Sequence, residues 1–264
     1  MRNIRGIAAA QTVPVRGDVE ANTDQHRELV RAAAENGAQL VVFPELSLTG
    51  YELGLAKELA FSASDARLGP LVEAAHTHDA IVIAGAPVGV DGKLHIGAFI
   101  IYPDGAIELY TKHHLGAFSP SDNPDGPVPP PEATVFAPGD ANPLVRLGNK
   151  TGAVAICADT NRPSHPADAA ARGAKVYLAG VFVIPDHFAI SIAGLKTYAE
   201  THGLTVVYAN YGGPSGGLPS AGRSAIWSDS GELLVQLGPT GTGLALATEN
   251  DGQWRAEAFT PDES

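Results

Sequence analysis

Short uninterrupted apolar runs punctuate this chain of 264 residues, at 39–43 (QLVVF), 80–85 (AIVIAG), 152–156 (GAVAI), 176–179 (VYLA) and 205–209 (TVVYA). A run of that length between turn residues fits a strand buried on both faces. Residues 5–10 read as a first strand of the same kind. Between the runs the apolar period changes. Val19, Leu29, Val30, Ala33 and Ala34 recur at helical spacing over 19–36, and Asn36-Gly37 closes that stretch as a favourable helix end. Further helices are predicted over 64–78, 167–173 and 188–202, the last stopping at Gly203, with helix-like sequence already present from Ser164. Residues 93–102 and 106–110 flank Pro103-Asp104-Gly105, a strong hairpin signal. Residues 144–147 and 152–156 pair around a Gly148-Asn149-Lys150 turn. Runs at 223–227, 233–237 and 243–247 form a closing meander. Strands alternating with helices in both halves, with hairpins between, predict an α/β layered fold.

Composition narrows the classes. Hydrophobic residues make up 44% and charged residues 17%, a globular balance, and the length fits one domain spanning 1–264. The net charge of −12 argues against nucleic acid or an anionic membrane as partner. One cysteine makes no internal disulfide, which fits a cytoplasmic location. The opening MRNIRGIAAAQTVP has too short an apolar stretch for a signal peptide, and no run approaches membrane-spanning length. Thirty glycines and 20 prolines indicate many tight loops. Residues 120–131 (PSDNPDGPVPPP) read as an ordered or semi-rigid loop. The glycine-rich 210–222 contains GGPSGG but neither a lysine-containing phosphate loop nor a GxGxxG at a strand–helix junction, so it reads as a loop near the site.

Three strand ends carry candidate chemistry. Cys157 closes the 152–156 run just before polar residues and a helix. There a strand would hold a nucleophile rigidly, and turn amides would stabilise both a thiolate and an oxyanion. A lone cysteine at such a place serves equally as a small apolar filler. Glu45 follows 39–43 directly through Pro44. Burial there would raise its pKa toward that of a useful general base, while a turn cap or a solvent-facing carboxylate is the plain alternative. Lys112 follows 106–110 and can reach a neighbouring thiolate or carboxylate as a fixed positive charge, or lie exposed on the surface. His113-His114, like His76 and His78, invites a metal reading. Adjacent residues on a strand point to opposite faces, and neither an HExxH motif nor a cysteine cluster is present, so no catalytic metal is expected.

Taken together, VVFPE around Glu45, YTKHHL around Lys112 and AICAD around Cys157 resemble the Glu–Lys–Cys motifs of the nitrilase (carbon–nitrogen hydrolase) superfamily in order and spacing. The segment from Glu132 to Pro138-Gly139 resembles the place where that family keeps a second glutamate. The late AGRSAIWSDSGELL resembles its GxSxI…xGxxL strands. The resemblance spans nearly the whole chain. It implies a four-layer αββα sandwich of two mixed sheets with outer helices, and subunits paired as a homodimer or higher homo-oligomer. It further implies Cys157 as nucleophile, Glu45 as base, Lys112 and the backbone N–H of Ala158 as oxyanion stabilisers, and Glu132 as a supporting group. No cofactor is implied. The implied substrate is a small amide, hydrolysed through a thioester.

The chain departs from the family pattern after the cysteine. Ala158 stands where an aromatic residue or Asn is common, Thr160 and Asn161 where an arginine is common, and Pro163-Ser164 where Pro-Glu is common. An arginine there is a natural clamp for a substrate carboxylate, and without it amino-acid-derived substrates are disfavoured. Arg162 either takes that part or makes a structural ion pair. Tyr51, His113, Phe182 and the 210–213 loop with Asn210 are candidate pocket walls, or simply packing. Two other readings stand beside the amidase. A nitrilase would direct the same three groups at a nitrile carbon, and assays on paired amides and nitriles separate the two. A non-catalytic scaffold would keep the fold, with a Cys157 no more reactive than free cysteine.

Overall fold

The computed structural model of the protein describes residues 4–261. The ends of the domain expected over 1–264 lie outside the described residues: 1–3, which open the segment read for a leader, and 262–264.

Two sheets face each other, and each has a parallel centre with antiparallel flanks. The first orders its strands β13-β12-β1-β2-β3-β4-β5. Here β1 is Gly6–Gln11, β2 Leu40–Val42, β3 Ile81–Val90, β4 Lys93–Ile101, β5 Ile107–Thr111, β12 Gly243–Asn250 and β13 Gln253–Phe259. The second orders them β11-β10-β9-β8-β7-β6, with β6 Leu144–Leu147, β7 Lys150–Ile156, β8 Val176–Gly180, β9 Thr205–Ala209, β10 Ala225–Trp227 and β11 Leu233–Gln236. Within them, β1-β2-β3 and β7-β8-β9 run parallel. Parallel neighbours need crossovers, and helices supply them. Helices α1 (Val19–Glu35) and α2 (Gly69–Thr77) serve the first sheet, α3 (Ser164–Ala171) and α4 (Pro185–His202) the second.

Strand periodicity sorts the side chains into three apolar layers. On β2, Leu40 and Val42 face the inter-sheet core while Val41 faces α1 and α2. On β7, Val154 and Ile156 join the same inter-sheet core, and Ala153 and Ala155 pack with Leu195 and Ala199 of α4. Continuous apolar runs were therefore the right signal for strands covered on both faces. The resulting order is helix, sheet, sheet, helix. Among the described residues no helix is long and apolar enough to cross a membrane.

Five elements differ from the expectation. β3 continues past Gly85 to Val90 and turns into β4 through Asp91-Gly92, both at positive φ (+49° and +74°). β13 is an additional edge strand, reached through Asp251-Gly252 at +50° and +79°. Only Trp254 and Ala256 of β13 pack against the inter-sheet core, so its apolar pattern is weak. The helix predicted from 64 begins as a 3₁₀ turn, Ala66–Leu68, and becomes α-helical only at Gly69. α3 starts at Ser164, where the helix-like sequence begins rather than at 167, and ends at Ala171, while α4 starts about one turn early, with Pro185 in the first turn, where a missing N–H costs nothing.

Candidate active site

The two sheets meet at a cleft fed by three strand ends. After β2 the chain makes a tight turn, Phe43-Pro44-Glu45-Leu46, with Leu46 at φ +52°. Two glycines admit that turn between the sheets. A Cβ on Gly85 of β3 would lie 2.4 Å from Leu46 N, and one on Gly180 of β8 would lie 2.5 Å from Phe43 O. Tyr211 donates to the Glu45 carbonyl from the far side. Glu45 is left fully buried, 1% exposed.

Lys112 follows β5 and is 0% exposed. A buried ammonium must be paired and hydrogen-bonded, and this one is. Its Nζ donates to Glu45 Oε1 at 2.6 Å and to Glu132 Oε1 at 2.7 Å. Glu132 sits on a 3₁₀ turn, Glu132–Thr134, at the end of the proline-rich loop. Tyr51 donates its hydroxyl to Oε1 at 2.8 Å, and Gly116 N donates to Oε2 at 2.6 Å. Both Glu132 oxygens are thereby satisfied. Glu45 Oε2 is buried with no hydrogen-bond partner.

Cys157 opens the 3₁₀ turn Cys157–Asn161 directly after β7, at φ +41°. A non-glycine residue in that region is strained and persists only where its surroundings enforce it. Thr160 Oγ1 donates to the Cys157 carbonyl at 2.7 Å, and the thiol points at the Phe182 carbonyl, 3.5 Å away. The side chain remains partly accessible.

The electrostatics follow from burial beside fixed charge. Burial raises the Glu45 pKa; Lys112 pulls it back, Glu132 pushes it up, and the balance lies at about 7. The Cys157 thiol is among the groups that draw the Glu45 value down. Burial also drives the Cys157 pKa up, reinforced by Glu45 and opposed by Lys112. Lys112 moves the other way overall: burial alone would lower it, but the charges of Glu45 and Glu132 carry it upward and keep it an ammonium. The ground state is therefore a thiol beside a base that titrates near neutrality, with a permanent cation behind both.

The cleft has a volume of about 430 Å³. Tyr51, Glu132, Cys157, Ala158 and Phe182 line it, together with Phe118, Thr160, Asn161, Val183, His187, Ile190, Ser191 and Tyr198. The Tyr51, Phe118 and Phe182 rings touch one another with centroids 5.0–5.7 Å apart. Glu45 and Lys112 lie beneath this lining. Three residues read as pocket walls stand elsewhere. His113 stacks on Tyr110, centroids 5.2 Å apart, because its backbone is drawn toward Asp159. Arg162 is exposed, and its N–H donates to the Asp159 carbonyl at the end of the turn, outside the cleft lining. Asn210 is 0% exposed and works from behind, accepting from Val183 N at 3.0 Å and donating to the Val183 and Gly222 carbonyls. It fixes a wall residue without being one.

One residue that the sequence reading passed over is central. Asp159, fully buried, accepts from Ile156 N and Tyr110 on one oxygen and from His113 N, His114 N and His114 Nδ1 on the other. It ties the segment after Lys112 to the turn of Cys157. Its signal was a carboxylate two residues past a candidate nucleophile, with no solvent-facing run to explain it. Among the described residues no group of three or more His, Cys, Asp and Glu is disposed to hold a metal ion.

Comparison with known proteins adds three findings. A family model described as carbon–nitrogen hydrolase matches residues 6–256. Among curated relatives, a glutamine-dependent NAD(+) synthetase of Thermotoga maritima is 27% identical over 240 residues, covering 89% of this chain but 40% of its own length. The chain thus spans less than half of that relative. A nitrilase of Pyrococcus abyssi is 27% identical over 248 residues, covering 91% of this chain and 88% of its own. Among solved structures, the amidase of Nesterenkonia sp. AN1, a cysteine-to-alanine mutant in complex with butyramide, superposes with a TM-score of 0.81 at 26% identity. The match covers 95% of this chain and 92% of that one.

Proposed function

The chain belongs to the carbon–nitrogen hydrolase family, and from that premise we propose that it is an amidase that cleaves a small amide through a thioester on Cys157. The observation that carries the reading is the ion network Glu45–Lys112–Glu132, sealed under a cleft whose floor presents a strained cysteine.

The geometry supports the following roles. Sulfur attacks the carbonyl carbon while its proton passes to Glu45, and the carbonyl π pair moves onto oxygen. Two of the three Lys112 N–H bonds are committed to carboxylates. The third, with the backbone N–H of Ala158, stabilises the developing oxyanion. Collapse breaks the C–N bond, and the proton on Glu45 leaves with the amine. Water then attacks the thioester, giving one proton to Glu45, which returns it to sulfur as the acid departs. Glu132 holds Lys112 in place and does not exchange protons.

The aromatic group of Tyr51, Phe118 and Phe182 favours a short apolar acyl chain, in line with the butyramide bound by the Nesterenkonia amidase. The Pyrococcus relative named a nitrilase supports a second reading, in which the same groups act on a nitrile carbon. Incubation with butyramide, glutamine and butyronitrile, scoring ammonia and acid, separates these. Butyramide is expected to turn over fastest, with an acyl adduct on Cys157 seen by intact-protein mass spectrometry. Turnover of butyronitrile alone would replace amidase by nitrilase, and no adduct from any of the three would overturn the covalent scheme.

A further inference from the structure

A buried polar chain runs behind the Cys157 turn and has no part in the chemistry above. The Tyr177 hydroxyl on β8 lies 2.9 Å from His165 Nδ1 on α3, and His165 Nε2 lies 3.0 Å from the Tyr110 hydroxyl on β5. The Tyr110 hydroxyl lies 2.7 Å from Asp159 Oδ2. The proton order along it is fixed from one end. A carboxylate only accepts, so Tyr110 spends its single proton on Asp159. The Tyr110 oxygen must then accept from His165 Nε2–H. A neutral imidazole carries one N–H, so Nδ1 is bare and accepts from Tyr177. Burial lowers the His165 pKa against the pull of Asp159, which keeps the ring neutral, as this order requires.

Asp159 is where the chain meets the reaction. Two of its other partners are backbone groups next to the reacting residues: Ile156 N at 3.1 Å, just before Cys157, and His113 N at 3.2 Å, just after Lys112. His114 N and Nδ1 complete the set at 2.8 and 3.0 Å. Lys112 follows a strand of one sheet and Cys157 a strand of the other, so this carboxylate spans the gap between them.

We infer that His165 is a positioning residue: by holding Tyr110 as a donor it orients Asp159, which sets the sulfur-bearing turn against the ammonium-bearing strand end. The kinetic readout of this inference rests on the amidase reading; the chemical readout does not. Cys157 is the single cysteine of the chain, so its alkylation by iodoacetamide reports this site alone.

The test compares the parent with His165→Leu, His165→Gln and Tyr177→Phe. A shift of about 1 Å in a reacting group costs on the order of 100-fold. His165→Leu is accordingly expected to lower kcat by about 30- to 100-fold with KM within about twofold, and to slow alkylation by a similar factor. Gln can still donate to Tyr110, so His165→Gln should recover most of both rates. Tyr177→Phe, which frees the tautomer, should fall between. A cooperatively melting His165→Leu with both rates within about twofold of the parent would overturn the inference, as would a Gln variant no better than Leu. If His165→Leu does not fold, Tyr177→Phe decides, and unchanged rates there overturn it. If the parent hydrolyses no amide, the amidase reading fails, and the alkylation rates still decide the role of His165.

Discussion

Lys112 is flanked by two carboxylates that look alike in composition and differ in everything that determines reactivity. On one side, Glu132 arrives from a loop and has both oxygens taken by Tyr51, Lys112 and Gly116. On the other, Glu45 comes from a turn driven between the sheets, and its Oε2 is left with no partner. Burial raises its pKa against the pull of Lys112, and with the nearby charge of Glu132 the balance lies at about 7. The lesson is that the proposed base is distinguished from its neighbour by what has been withheld from it. The sequence marks Glu45 by its place after a buried run; the count of hydrogen-bond donors shows how differently the two glutamates are held.

That contrast can be broken in four ways. The largest effect is expected from Glu45→Gln, which removes the proton acceptor and should lower kcat/KM by about 1,000-fold. In the parent, the base works only when ionised. Activity should therefore fall tenfold per unit as pH drops below about 7, and level off above it. The acid limb should vanish in the Gln variant, and a limb that survives unchanged would assign the base elsewhere.

Glu132→Gln should cost about 30-fold, because Lys112 loses one of its two anchors. Here the limb persists but moves to lower pH, since the charge of Glu132 helps to hold the Glu45 pKa up. A limb that disappears instead would exchange the roles of the two glutamates. Next comes Gly85→Ala, which drives a methyl into Leu46 N and presses on the Glu45 turn alone. It should destabilise the protein by about 1–3 kcal/mol. Thermal melting checks this, and an unchanged melting temperature would mean that the turn has room to retreat. The smallest effect belongs to Tyr51→Phe, which removes one of the donors to Glu132 and should lower kcat by about fivefold. A drop as large as that of Glu45→Gln would show that Tyr51 acts on the substrate itself.

How much of this was legible in the sequence depends on whether a residue's partners were near it along the chain. The strands at 39–43, 152–156 and 205–209 were readable because burial on two faces leaves a continuous apolar run. Asp91-Gly92 and Asp251-Gly252 were readable in principle, as the same signal that marked Asp104-Gly105; each sits at positive φ as a tight hairpin requires. Glu45, Lys112 and Cys157 stood out because each ends a strand abruptly with a chemically capable side chain. Asp159 did not, since four of its five donors come from residues 110–114, 45 to 49 positions away. His165 meets Tyr110 at a separation of 55 and Tyr177 at 12, and no local pattern encodes such meetings. Asn210 was misplaced for a related reason. A polar residue after a buried strand suggests a cleft wall, but this one closes three hydrogen bonds to loop backbone behind it.

The proposed base and its ammonium partner follow β2 and β5 of the first sheet, and the proposed nucleophile follows β7 of the second. Neither half of the polypeptide owns a working site. A cut between residues 112 and 157 would strip β12 and β13 from the first sheet and part Glu45 and Lys112 from Cys157, so proteolytic nicking or stalled synthesis should yield inert pieces rather than partly active ones. Under the proposed scheme, turnover doubles as a report that both slabs have docked in register.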